Sequence, residues 1–106
     1  MIIQFNTAKN KSGNKELEAL VNSNIVDALI RFSDYITRIE VHLMDKNGSK
    51  TDENDNRCLL EARIKNRQPI GVTSRANTIE EAINHAIDKL KFSLQTIEGR
   101  LKTNNY

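Results

Sequence analysis

The residues with chemistry to offer in this chain are its cations. Between positions 57 and 75 stand Arg57, Arg63, Lys65, Arg67 and Arg75 against a single acid, Glu61. A second group, Lys89, Lys91, Arg100 and Lys102, follows near the C-terminus. Clustered guanidinium and ammonium groups attract phosphate at long range and gain by releasing its counterions, so the pattern points to nucleic acid rather than to bond-making. The binding set read from it is Arg63, Lys65, Arg67 and Arg75 with Lys89, Lys91, Arg100 and Lys102. Three Phe, two Tyr and no Trp leave few platforms for stacked bases. Contact would therefore run mostly to RNA backbone and shape.

Other reactive types lack partners. His42 and His85 have no metal-ligand spacing to Cys58 or to each other. His85 falls beside a helical apolar stripe, where a partly covered structural histidine is expected. Cys58 alternates onto an inward strand face and reads as a small core residue. As the single cysteine it permits no internal disulfide and fits a reducing compartment. No Ser or Cys sits in a nucleophile elbow, and glycines at 13, 48, 71 and 99 are too scattered to cradle phosphate. Glu80 and Glu81 stand at a helix start, where the dipole and the cap account for them. Neither enzyme activity, cofactor nor metal is expected.

The elements that must hold the cations are legible from apolar spacing. Ile79, Ile83, Ala86, Ile87, Leu90, Leu94, Ile97 and Leu101 recur at steps of three and four, which predicts a helix from Ile79 to Lys102. Its length is roughly 36 Å at about 1.5 Å per residue. Thr78 and Glu81 form a capping box at its start. Ile2 to Asn6 reads as a short strand, and Thr7 to Asn14 as a polar loop with Asn14 as a helix cap. Leu17, Leu20, Val21, Ala28, Leu29 and Phe32 make the stripe of the first helix, with Ile25 at its margin. From Thr37 the period becomes two: Ile39, Val41 and Leu43 alternate with Arg38, Glu40, His42 and Met44. Asp45 to Asn56 holds no aliphatic residue and reads as an acidic hairpin loop. Cys58, Leu60, Ala62 and Ile64 face inward on the next strand, opposite Leu59, Glu61, Arg63 and Lys65. After a turn at Asn66 to Gln68, Ile70, Val72, Ser74 and Ala76 face inward on the last strand, which Pro69 precedes. The order is strand, helix, three strands, helix. A parallel crossover followed by an antiparallel meander is expected, both helices covering one face of a four-stranded sheet. Arg38, His42, Arg63, Lys65, Thr73 and Arg75 would stand on the open face, diluted by Glu40 and Glu61.

Length and composition agree with one domain over residues 1–106. No apolar run approaches the ~20 residues of a membrane span. The N-terminus lacks the features of a signal peptide, so a soluble cytoplasmic protein is expected.

Two segments carry a family resemblance. Phe32-Ser33-Asp34-Tyr35-Ile36 runs into Ile39-Glu40-Val41-His42-Leu43, and the stretch from Ile70 through Ala76 runs into Ala82-Ile83 and Ala86-Ile87-Asp88-Lys89-Leu90. Together with the element order, they resemble the ribosome hibernation-promoting factors, also known as the ribosome-associated translation inhibitor family. The resemblance implies an α+β fold similar to a double-stranded-RNA-binding domain. It also implies binding to the small ribosomal subunit in the decoding channel, over the path of messenger and transfer RNA, as a stress response that silences idle ribosomes. Long members carry a further C-terminal dimerisation domain, and this chain resembles the short form.

The departures fall on the helices, which the family lines with Lys and Arg. The first helix offers Asn24, Asp27 and a single Arg31 at the matching positions. In the second, Lys89, Arg100 and Lys102 keep the basic pattern and Lys91 adds to it, but Phe92, Thr96, Ile97 and Glu98 stand where cations are usual. Phe92 lies opposite the apolar stripe, where it would be exposed. Two readings result: a hibernation-type factor held on ribosomal RNA, and a protein-interaction module of the same fold. The second would use Phe92, with a weak homodimer as one form of contact.

Overall fold

The computed structural model describes residues 1–6, 15–45 and 56–103, and the side chains of all of these except 45 and 100–103. Its elements are β1 (Ile2–Phe5), α1 (Lys15–Leu29), a 3-10 turn (Ile30–Phe32), β2 (Ile36–Asp45), β3 (Asn56–Ile64), β4 (Ile70–Ala76) and α2 (Ile79–Thr103). The strands form one four-stranded sheet in the order β1-β2-β3-β4. β1 runs parallel to β2, and the other two pairings are antiparallel. This is the expected α+β arrangement, a crossover through α1 followed by a meander.

The alternation seen in the sequence sorts the two sheet faces. Ile39 and Val41, Cys58, Leu60, Ala62 and Ile64, and Ser74 and Ala76 are all buried. They join Val21, Ile25 and Leu29 of α1, Phe32, and Ala82, Ile83, Ala86, Ile87, Leu90 and Leu94 of α2 in one continuous core. Both helices therefore cover the same face. Burial without a polar partner pushes the Cys58 thiol up to about 12, as desolvation penalises a thiolate. The start of α2 is capped as expected, with the Glu81 amide donating to Thr78 Oγ1 at 3.1 Å. The reciprocal carboxylate bond is not formed among the described residues.

Three expectations change. Ile25 is the centre of the α1 stripe, fully buried between Val21 and Leu29, while Leu20 is 44% exposed. Steps of four align those three residues, whereas Leu20 lies about 140° round the helix from Ile25. The register of β2 on β3 shifts between Ile36 and Arg38, leaving Thr37 as an extra residue. Ile36 and Ile39, three apart, consequently both face the core. His85 is exposed rather than partly covered. The Asn14 cap and the loop through residues 46–55 lie outside the described residues.

Candidate nucleic-acid interface

Pairing register decides which charges meet on the open face. Arg38 stands opposite Arg63 and Glu40 opposite Glu61 across β2 and β3, and Arg57 opposite Arg75 across β3 and β4. Like charges directly opposite destabilise a sheet, so each row depends on the rows beside it. Arg38 Nη2 reaches Glu40 Oε2 at 3.0 Å. His42 Nε2 lies 3.7 Å from Glu40 Oε1 and 3.5 Å from Glu61 Oε1. Arg38 thus answers Glu40 from within the face, and the His42 imidazole lies beside both carboxylates. Two arginine rows flank it, about 20 Å apart along the strands at 3.3 Å per residue. Among the described residues Arg63 and Arg75 make no ion pair, so their charge is available to a ligand. Spacing along the sequence does not reveal the meeting of Glu40, His42 and Glu61, because its third member comes from across the ladder. Their donor atoms lie within 4.8 Å of one another, and they are the described residues best placed to hold a cation.

The most basic corner is the β3–β4 turn. β3 ends at Ile64, so Lys65 belongs to the turn and not, as the alternation predicts, to the open face. Asn66 takes a left-handed φ of 60°, a conformation that Asn adopts more readily than most residues. The Arg67 amide donates to the Ile64 carbonyl at 3.3 Å, and the Lys65 amide donates to the Tyr35 carbonyl at 2.9 Å. These bonds hold the turn beside a groove of about 310 Å³, floored by Tyr35, Ile64, Leu94 and Ile97 and rimmed by Lys65 and Arg67. Neither cation makes an ion pair among the described residues. The structure therefore brings Arg63, Lys65 and Arg67 to one end of the sheet, while Arg75 stands at the other.

The helix cations are not gathered in the same way. Lys89 Nζ donates to the Thr73 carbonyl at 2.7 Å. This covers an outward-facing acceptor of the edge strand β4, a structural use of a lysine. Lys91 is half-buried on another flank of α2, about 200° from Lys89 at 100° per residue. The side chains of Arg100 and Lys102 lie outside the described set. Arg31 is committed to Glu98, 2.6 Å away, and lies 4.8 Å from the Phe32 ring centroid. Between the helices a depression of about 410 Å³ is lined by Asn24, Asp27, Asn84 and Asp88, with Ala28 and Ile87. At Asn24 and Asp27 it presents an amide and a carboxylate where the resemblance implies cations, whereas Asp88 belongs to the resembling segment itself. Phe92 is 69% exposed, as its phase predicts.

Among solved structures, a ribosomal subunit interface protein from Coxiella burnetii is similar at 15% identity and a TM-score of 0.71, with 93% of this chain and 99% of that chain covered. The N-terminal domain of Thermus thermophilus Protein Y is similar at 15% identity and a TM-score of 0.73, with 92% and 99% covered. At such identities the likeness is one of fold. No curated protein sequence matches at a significant level. The profile of a protein family, described as Sigma 54 modulation protein / S30EA ribosomal protein, matches residues 6–102, nearly the whole length. This chain therefore belongs to the Sigma 54 modulation protein / S30EA ribosomal protein family.

Proposed function

We propose that this protein binds the small ribosomal subunit in the cytoplasm and blocks translation on idle ribosomes by occupying the path of messenger and transfer RNA. The observation that carries the reading is the family match over residues 6–102. Arg63, Lys65 and Arg67 at one end of the sheet, which make no ion pair among the described residues, agree with it, since several phosphates would meet them there. Arg75 extends the contact along the open face. The mechanism is steric occupancy, and no side chain has to make or break a bond. Lys89, Lys91, Arg100 and Lys102 of α2 would contribute at its margin.

A second reading rests on Phe92, an exposed aromatic on the outer face of α2. A protein partner, or a second copy of this chain, would cover it through apolar contact. Salt separates the two readings: phosphate binding weakens steeply with ionic strength, whereas burial of an aromatic ring does not. The test is co-sedimentation with purified small subunits at low and physiological salt, beside Arg63→Glu/Arg67→Glu and Lys89→Glu/Lys91→Glu variants. Saturable binding that falls with salt and is lost in the first variant supports the ribosomal reading. Absence of pelleting at low salt overturns it in favour of the Phe92 contact.

A further inference from the structure

We propose that the groove beside the β3–β4 turn seats one unpaired RNA base, with the flanking phosphates on Lys65 and Arg67. The inference deepens the RNA reading above and rests on it. The groove's volume of about 310 Å³ sits at the small end of ligand pockets, which run from about 300 to 1,000 Å³. It suits a single planar group and is too small to admit a duplex. Its floor is lined by the aromatic residue Tyr35 and the aliphatic residues Ile64, Leu94 and Ile97. Unpaired bases are bound in this way, splayed from the strand and laid on aromatic or apolar surface.

The rim supplies the other half of a nucleotide's chemistry. Lys65 and Arg67 both line the groove and, among the described residues, no acid does, so the lining matches a group with an apolar face and an attached anion. Asn66 lies between them, and its amide can both donate to and accept from a base edge. The turn is already held by the Lys65–Tyr35 and Arg67–Ile64 backbone bonds. Little ordering therefore remains to be done on binding, which favours affinity.

The chain has two tyrosines and no tryptophan, so Tyr106→Phe leaves Tyr35 as the sole intrinsic fluorophore of the groove. Single-stranded oligoadenylate titrated into that variant should quench Tyr35 saturably. A duplex RNA of equal length should bind, by anisotropy of a labelled strand, without quenching. Adding Ile97→Phe, which fills the groove and leaves every charge in place, should weaken single-strand binding roughly tenfold, the scale of one lost stacked base. Duplex binding should stay unchanged, which also shows that the variant is folded. Equal quenching by duplex and single strand overturns the base seat, as does single-strand binding with no quenching. Quenching by adenosine monophosphate as tight as by the oligonucleotide overturns the RNA assignment in favour of a free nucleotide. Absence of binding to either RNA is a different failure, that of the RNA reading itself.

Discussion

Two recesses in this molecule form where distant parts of the chain meet, and they carry opposite chemistry. The groove at the β3–β4 turn has an apolar floor under Lys65 and Arg67. The depression between α1 and α2 is lined by Asn24, Asp27, Asn84 and Asp88. A phosphate is attracted to the first and repelled by the second. The resemblance implies cations along the helices, yet here Asn24 and Asp27 stand at two of those positions, and the cations that make no ion pair among the described residues stand at the hairpin. The fold tolerates that relocation because both sets are exposed, and exposed charges cost a fold little wherever they stand. Shape is held by the core, whereas the side of the molecule that attracts phosphate is set by a few surface residues.

The largest effects come from the apolar floors. Leu94 is 2% exposed beneath the turn groove, and Leu94→Ala should cost about 2–5 kcal/mol through lost burial and a residual cavity. The gentler truncation Ile87→Val, under the interhelical depression, should cost about 0.5–1.5 kcal/mol. Urea unfolding checks both, as a lowered midpoint at constant slope. Next in size is the charge contrast itself. Lys65→Glu/Arg67→Glu removes two phosphate contacts and adds two repulsions, and should weaken small-subunit binding on the order of 100-fold at low salt while flattening its salt dependence. Binding that survives this change breaks the assignment of the hairpin as the contact.

A smaller effect separates two lysines that neighbour each other in sequence. Lys89→Ala should lower stability by about 0.5–1 kcal/mol, because the Thr73 carbonyl loses its donor at a solvated edge. Lys91→Ala lacks that bond and should change stability by less than about 0.5 kcal/mol. Thermal unfolding of the two variants side by side decides it, and equal losses would mean that the Lys89 bond contributes nothing.

Much of the fold was legible because burial has a period. Steps of three and four marked α2, and alternation marked the inward residues of β2, β3 and β4. Apolar spacing alone sets Ile25 at a margin because Leu20 is equally apolar, and only the packed partners show which of them the core takes. Thr37 gives no sign of being an extra residue because a bulge has no composition of its own. The site was harder to read, since charge clustering depends on register and on helical phase. Arg57 meets Arg75, and Glu40 meets Glu61, across strands. Lys89 and Lys91 are two residues apart yet face different flanks. Lys65 looked like a strand position until the chain turned one residue earlier. The turn groove left no sequence signal, because Tyr35 and Ile97 come from separate elements.

The smallest expected effect is also the sharpest test of the contrast. Asp27→Lys/Asp88→Lys converts the interhelical depression from acidic to basic, at position 27 restoring the charge that the resemblance implies. Asp88 and Ile97 lie nine residues apart on α2, about 13 Å along the axis. That exceeds the Debye length of about 8 Å at physiological salt, so new cations in the depression should act only weakly on RNA held at the hairpin. Small-subunit affinity should then rise by less than about threefold at physiological salt, and by more at low salt, where screening extends to about 30 Å. A rise above about tenfold at physiological salt would place the helices against RNA phosphate. The acidic depression would then be a weakened contact surface, and the hairpin would lose its claim to be the main one.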